Sequence, residues 1–173
     1  MTKQQSDKAP AADGLPAANG PGEDIDFTLI ELLFFAYRDF ISDPDAILGP
    51  LGFGRAHHRV LHFVNRRPGL TVAELLDVLK ITKQSLARVL KQLIDTGHIV
   101  QVTGPRDRRQ RELYPTEKGR ALSLALARPQ SRRIRDALGE GGSGDRAAVE
   151  RFLKAMVDPE LRRQIGNLPK DMR

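Results

Sequence analysis

Apolar residues recur at helical spacing along much of the chain, and the pattern is clearest between Leu70 and His98. In the first part of this stretch, one helix face collects Val72, Leu75, Leu76 and Leu79. In the second part, one face collects Leu86, Val89, Leu90, Leu93 and Ile94. Because residues three and four apart share one side of an α-helix, the stretch predicts two amphipathic helices joined by a short turn.

Polar residues at the ends of these two helices predict where each begins and stops. Thr71 precedes the first helix and Glu74 follows three residues later, which is the spacing of a capping box. Thr82 can cap the second helix through its hydroxyl. Gly97 can end that helix, because glycine adopts the left-handed conformation without strain.

The residues that follow predict a β-hairpin and then a long helix. Residues 99–102 suit a strand, residues 104–111 (GPRDRRQR) a loop with four arginines, and residues 113–114 a return strand. Leu70 is a candidate third strand beside this hairpin. The next helix is predicted over residues 116–138. A helix pair followed by a hairpin with a basic tip is typical of a winged helix-turn-helix.

Two segments carry a resemblance to a known family. They are LTVAELLDVLKITKQSLARVLKQLIDTGHIV and GPRDRRQRELYPTEKGRAL. The second contains Asp107-Arg108-Arg109 in the hairpin and the run T-E-K-G at residues 116–119. From about Leu51 to Leu122 the chain resembles the MarR family of transcriptional regulators, with a PetP-like branch as the nearest group within it.

The resemblance implies a mainly α fold with a small β-hairpin wing, in which a winged helix-turn-helix is joined to terminal helices that form a homodimer. We therefore expect four segments. They are a disordered N-terminal tail (1–24), a dimerisation helix (25–50), a winged helix-turn-helix DNA-binding lobe (51–115) and C-terminal dimerisation helices (116–173). The tail is predicted to be disordered because it is polar and rich in Ala, Pro and Gly.

The first helix, predicted over residues 25–41, is apolar over more than one face. Such a helix is buried on more than one side, and in a chain of this size a second subunit can supply the second side.

Three prolines should affect the course of the helices. Pro44 is expected to interrupt or kink the end of the first helix, Pro129 to kink or break the long helix, and Pro159 to split the last one.

Candidate DNA-binding residues lie on the polar face of the second helix of the pair and in the hairpin tip. The helix face alone fits a solvated surface as well as a DNA contact, but the basic hairpin beside it favours DNA. In this geometry the helix enters a major groove and wing arginines reach the flanking minor groove. The set is Thr82, Lys83, Gln84, Ser85, Arg88, Arg106, Arg108, Arg109 and Arg111. By resemblance, Arg109 can instead pair with Asp107 and hold the shape of the wing.

The resemblance also implies a small-molecule effector, bound between the dimerisation helices and the DNA-binding lobe. By their location, Tyr37, Arg38, Phe53 and His58 are the candidate pocket residues. A metal or haem site is a separate question, because His58 and His62 lie four residues apart. No carboxylate-rich partner is close in sequence, so packing is favoured, and we expect no metal site and no cofactor.

Composition narrows the classes of function. The net charge is +6, which fits a polyanionic partner without requiring one. The chain has no cysteine, which excludes disulfides, cysteine-ligated zinc and thiol redox sensing. No signal peptide or apolar span of membrane length is visible, so a cytoplasmic protein without membrane contact is expected. No nucleophile–base pair, metal motif or carboxylate pair indicates an enzyme.

The sequence therefore predicts a transcriptional regulator that binds double-stranded DNA sequence-specifically, as a homodimer on a pseudo-palindromic operator. On family grounds repression is favoured over activation, and a small-molecule effector is a candidate partner. Two alternatives remain open. One is a winged-helix module that binds proteins, and the other is an architectural DNA binder without sequence preference.

Overall fold

A computed structural model describes residues 24–104, 110–141 and 145–166. Backbone contacts divide the chain into a first unit that ends at Phe35 and a second that begins at Ala36. The elements, in chain order, are α1 (Phe27–Leu48), a 3₁₀ turn (Gly49–Leu51), α2 (Arg55–Arg66), β1 (Leu70–Thr71), α3 (Val72–Leu79), α4 (Lys83–Asp95), β2 (Ile99–Thr103), β3 (Arg111–Pro115), α5 (Glu117–Gly141), α6 (Asp145–Met156) and α7 (Pro159–Gly166). The fold is mainly α with a small sheet, as predicted.

The sheet has three antiparallel strands in the order β1-β3-β2. Leu70 pairs with Leu113, so the predicted third strand is confirmed. The hairpin between β2 and β3 closes at its described end, where the Gly104 amide donates to the carbonyl of Gln110 at 3.0 Å. The tip, residues 105–109, lies outside the described residues. The predictions for Arg106, Arg108 and Arg109 fall on that segment.

A single apolar core lies under the helix pair and the sheet. It joins the inward faces of α2, α3 and α4 to β1, β2, β3 and α5. The two faces predicted from periodicity supply much of it, and their buried members are Leu75, Leu79, Leu86, Val89, Leu90 and Leu93. Since burying one such side chain contributes about 1.5–3 kcal/mol, this core fixes the position of α4.

The predicted caps of the helix pair are confirmed. The Thr71 hydroxyl accepts from the Glu74 amide at 3.3 Å, and the Glu74 carboxylate accepts from the Thr71 amide at 2.8 Å. The Thr82 hydroxyl accepts from the Ser85 amide at 3.1 Å. Gly97 follows α4 with φ +73°, a conformation that favours glycine. Both helices therefore begin where their capping residues predict, and α4 ends just before Gly97 as predicted.

Neither Pro44 nor Pro129 breaks its helix, and a kink at either proline stays a prediction. α1 continues through Pro44, and α5 continues through Pro129. Proline removes the backbone donor to the carbonyl four residues earlier, which for Pro44 is the carbonyl of Phe40. That carbonyl accepts from the Gln130 side-chain amide at 3.3 Å, which compensates for the lost bond. The third prediction is confirmed, because α6 ends at Met156 and α7 begins at Pro159.

Candidate DNA-binding site

The N-terminal half of α4 presents an exposed polar face. Burial of the apolar face turns the opposite side of the helix to solvent, where Lys83, Gln84, Ser85 and Arg88 are all exposed. Among the described residues, Lys83, Gln84 and Arg88 form no hydrogen bond or ion pair with one another or with the rest of the chain. Their polar atoms are therefore available for a partner outside the chain.

Thr82 and Ser85 fix the start of this face. The Thr82 hydroxyl donates to the Ser85 hydroxyl at 2.9 Å, in addition to accepting from the Ser85 amide. Thr82 is thus the N-cap of α4, and its hydroxyl has its local partners inside the chain. A DNA contact by Thr82 stays a prediction.

A cleft of about 510 Å³ separates the beginning of α4 from the base of the wing. Its polar lining consists of Lys83, Gln101, Gln110, Arg111 and Thr71. Arg111 is held in place because its guanidinium donates to the Thr103 hydroxyl at 2.7 Å, across the pair that ends the β2–β3 ladder. Two cationic side chains, one on α4 and one on the wing, therefore flank a single groove.

The C-terminal half of the polar face of α4 is occupied within the chain. Gln92 lies on the polar side of α4, but its side chain contacts α2. Its Oε1 lies 2.8 Å from Nε2 of His57, and its amide donates to the Gly52 carbonyl at 3.4 Å. Lys91 pairs with Asp95 at 2.5 Å. The face available to DNA is therefore shorter than the sequence pattern indicates.

The four candidate pocket residues have different environments. Tyr37 is exposed, and Arg38 pairs with Asp39 at 2.9 Å. Phe53 is 7% exposed, because its ring stacks on His57 with centroids 4.7 Å apart. His58 is half-buried, and burial lowers its pKa, although the nearby Asp45 opposes that shift. Neither cleft described here is lined by any of the four, and the effector pocket stays a prediction.

A second cleft, of about 570 Å³, lies between the C-terminal part of α1 and α5. Its charged lining consists of Asp43, Arg132, Arg133 and Asp136. The ion pair of Arg133 with Asp43, at 3.1 Å, spans it. The sequence shows the arginine cluster of α5, but the approach of α1 to that cluster depends on tertiary packing that no local pattern reports.

Two histidines of α2, His57 and His62, have protein partners. Nδ1 of His57 accepts from the Gly54 amide at 3.1 Å, so the proton lies on Nε2, which donates to Gln92. The His62 ring meets Phe63 edge-on, with centroids 5.2 Å apart. In the described part of the chain, no group of three histidine, cysteine or acidic side chains could hold a metal ion.

None of the described helices combines the length and the hydrophobicity that a membrane span requires.

Comparisons with known proteins agree on one family. The family profile described as MarR family matches residues 51–110, which contain the helix pair and the beginning of the wing. The HTH-type transcriptional regulator PetP of Rhodobacter capsulatus is 51% identical over 134 residues, which cover 78% of this chain and 81% of that protein. The chain belongs to the MarR family. Its similarity to PetP also confirms the predicted branch.

Solved MarR structures share the fold. A MarR protein from Peptoclostridium difficile is 18% identical with a TM-score of 0.66, over 87% of this chain and 99% of that one. A MarR mutant from E. coli, complexed with operator DNA, is 22% identical with a TM-score of 0.59, over 76% of this chain and 95% of that one. As a MarR-family member the chain is a winged helix-turn-helix transcriptional regulator and not an enzyme.

Proposed function

We propose that this MarR-family regulator represses transcription by binding a pseudo-palindromic operator as a homodimer. The observation that carries the proposal is the exposed N-terminal half of α4. There, Lys83, Gln84 and Arg88 have no partner in the described part of the chain, while the apolar side of the same helix is buried. A rigid helix with unpaired donors is suited to a major groove.

Two kinds of contact would follow from this geometry. Gln84, Ser85 and Arg88 would contact base edges. Each good bidentate contact would contribute roughly 1–3 kcal/mol of discrimination against the wrong base. Lys83 and Arg111, on the two sides of the 510 Å³ cleft, would hold phosphates and so make affinity depend on salt. Arg106 and Arg108 would enter the flanking minor groove, and Arg109 would either join them or pair with Asp107. The solved complex of a MarR mutant with operator DNA supports DNA as the partner.

Exposed apolar side chains on the terminal helices support the homodimer. On α1 they are Phe27, Leu29, Ile30, Leu32, Phe34, Phe35 and Tyr37, and on α6 they are Val149, Phe152, Leu153 and Met156. Apolar surface of this extent usually marks a protein interface. Segments 25–50 and 116–173 would then dimerise, and segment 51–115 of each copy would meet one half-site.

An effector would regulate DNA binding by changing the relative orientation of the two DNA-binding lobes. A ligand near Tyr37, Arg38, Phe53 and His58 would favour one orientation of the two DNA-binding lobes over another. Such a ligand shifts the equilibrium only by its difference in affinity for the two orientations. A change in spacing between the two recognition helices would move them out of register with successive major grooves, which lie about 34–36 Å apart.

Fluorescence anisotropy on DNA fragments from around its own gene tests the proposal. We expect tight binding to one fragment, weaker binding to random DNA of equal length, and affinity that falls steeply with salt. Arg88→Ala should remove the preference for the specific fragment. The matched control is Arg151→Ala, which removes an exposed arginine from α6 and should leave the preference intact.

Two other results would select the alternatives. Equal affinity for all fragments would identify an architectural binder. Absence of binding at low salt, together with specific capture of one protein that survives Arg88→Ala, would identify a winged-helix interaction module. Either result would contradict the proposed function.

A further inference from the structure

The beginning of α5 is bound directly to the end of α4. The Thr116 hydroxyl donates to the Gly97 carbonyl at 2.7 Å, and the Thr116 amide donates to the His98 carbonyl at 3.1 Å. The Lys118 ammonium donates to the Thr96 carbonyl at 2.8 Å. These acceptors lie in the turn that follows α4, and the last carbonyls of α4 itself accept from the backbone amides of that same turn. The beginning of α5 therefore holds the turn that ends α4.

Gly119 makes this approach possible. A Cβ at residue 119 would lie 2.0 Å from the His98 carbonyl oxygen, which is backbone and cannot rotate away. The Gly119 amide also donates to the Thr116 hydroxyl at 3.0 Å, which makes Thr116 the N-cap of α5 as well as a donor to α4. One hydroxyl thus serves both helices. The T-E-K-G run has a physical explanation in these contacts.

The positive charge of Lys118 is favourable beside the C-terminal end of α4. The end of a helix carries a partial negative charge, which a nearby ammonium stabilises. His98 is 3% exposed in the same region, and burial lowers its pKa, with the positive charge of Lys118 lowering it further. A neutral His98 therefore leaves Lys118 as the cation at this end of α4.

The covalent path from α4 to α5 is much longer than this direct contact. It runs from Asp95 through the β2–β3 hairpin to Glu117. The β2–β3 ladder already pairs Ile99 with Pro115, so the two ends of this path lie side by side. The contacts of Thr116, Lys118 and Gly119 extend that pairing from the sheet to the helices.

We propose that Thr116, Lys118 and Gly119 form a latch that fixes α4 to α5, so that a displacement of α5 moves the DNA-contacting face of α4. The three are positioning residues, since they act on DNA through α4. The test of this inference by operator affinity rests on the proposed function, whereas the test by the distance between α4 and α5 does not. It assigns to α5 the transmission of any movement among the terminal helices to the recognition helix.

The first test measures operator affinity and thermal stability in latch variants. Thr116→Val keeps the shape of the side chain and removes the donor, and Lys118→Met removes the ammonium. We expect each to weaken operator binding by about tenfold or more. Thr116→Ser, which retains the hydroxyl, should restore most of the affinity. Glu117→Gln is the matched control, because among the described residues Glu117 forms no hydrogen bond with α4.

The second test measures the distance between α4 and α5 without DNA. The chain has no cysteine, so Ala87→Cys on α4 and Arg128→Cys on α5 give one pair of spin-label sites, both at exposed positions. Pulsed electron paramagnetic resonance, on labelled chains diluted with unlabelled protein, gives the distance within one chain. We expect a narrow distribution in the parent and in Glu117→Gln. Thr116→Val and Lys118→Met should broaden or shift it.

The outcomes separate the latch from the proposed function. A distance distribution that is narrow in the parent and broadens in Thr116→Val and Lys118→Met, together with a parent that prefers no DNA fragment, would support the latch and contradict the proposed function. An unchanged distribution with affinity within about twofold of the parent, in both Thr116→Val and Lys118→Met, would overturn the latch. Lower thermal stability with an unchanged distribution would also overturn it, because the residues would then only stabilise the fold. Gly119→Ala is left out of the decisive set, since it would disturb folding itself.

Discussion

Oε1 of Gln92 lies 2.8 Å from Nε2 of His57, so the C-terminal half of α4 is hydrogen-bonded to the first turn of α2. Gly54 donates to the other ring nitrogen of His57, which places the donating proton on Nε2. The polar face of α4 therefore has two parts. Its N-terminal part points to solvent, and its C-terminal part holds the helix in the fold.

Two glutamines on this face should respond differently to the same substitution. Gln92→Ala removes a half-buried hydrogen bond and should lower the free energy of unfolding by about 0.5–1.5 kcal/mol. Gln84→Ala is the matched control, because Gln84 is exposed and has no partner among the described residues. It should leave stability unchanged and weaken operator binding. Chemical denaturation and anisotropy measure the two effects, and equal stability of both variants would contradict the role of Gln92.

The stability of the fold should fall in mild acid. Burial lowers the pKa of His98 below its ordinary value of 6.5, and Lys118 lowers it further. The unfolded chain then binds more protons than the folded chain over the interval between the two pKa values. The stabilisation from neutral His98 is complete above pH 6.5 and is lost as pH falls towards the lowered pKa.

Denaturation at pH 7.5, 6.5 and 5.5 measures this dependence. Burial also lowers the pKa of His58, so it contributes in the same direction, although Asp45 opposes its shift. His98→Gln should make the pH dependence shallower, and Lys118→Met should do so in part by removing the neighbouring charge. A chain that gains stability between pH 6.5 and 5.5 would show that the sign is wrong.

The contact between Gln130 and Phe40 should be coupled to Pro44. Gln130→Leu leaves the Phe40 carbonyl without the side-chain donor that compensates for proline, and should cost about 0.5–1.5 kcal/mol of stability. In a Pro44→Ala background residue 44 regains its backbone donor, so Gln130→Leu should cost less there. Denaturation of the four chains forms a double-mutant cycle. Additive effects would show that Gln130 does not compensate for Pro44.

Breaking the apolar face of α6 should produce monomers. Phe152→Glu places a charge on a surface that we assign to the dimer interface, where its desolvation would be unfavourable. Sedimentation velocity should then give half the parent mass, and operator affinity should drop because one half-site is lost. Arg151→Glu is the control, since it introduces the same side chain at the neighbouring exposed position. A Phe152→Glu dimer as tight as the parent would exclude this face from the interface.

Local signals in the sequence predict the elements of the DNA-binding lobe well. Thr71 with Glu74, Thr82 and Gly97 each act within one turn of the chain, and all three predictions hold in the structure. Leu70 also joins the sheet as its pattern indicates. In these cases, a residue's neighbours in sequence are also its partners in space.

The features that the sequence does not show depend on partners far along the chain. Helical periodicity places Gln92 on the polar face but cannot show that His57, 35 residues earlier, lies beside it. Pro44 reads as a helix interruption, because its compensating donor, Gln130, is 90 residues from Phe40. Thr116 and Lys118 read only as a family motif until the end of α4 is placed against them.

Hydroxyl-radical footprinting on the fragment that binds best tests most directly whether α4 of each copy reads one half of an operator. We predict two protected half-sites with centres about 10–10.5 base pairs apart, or a multiple of that spacing, related by pseudo-two-fold symmetry. Arg88→Ala should abolish both, and Arg151→Ala should leave both in place. Protection without a repeat, or protection that persists in Arg88→Ala, would contradict the proposal that two copies of α4 read the DNA.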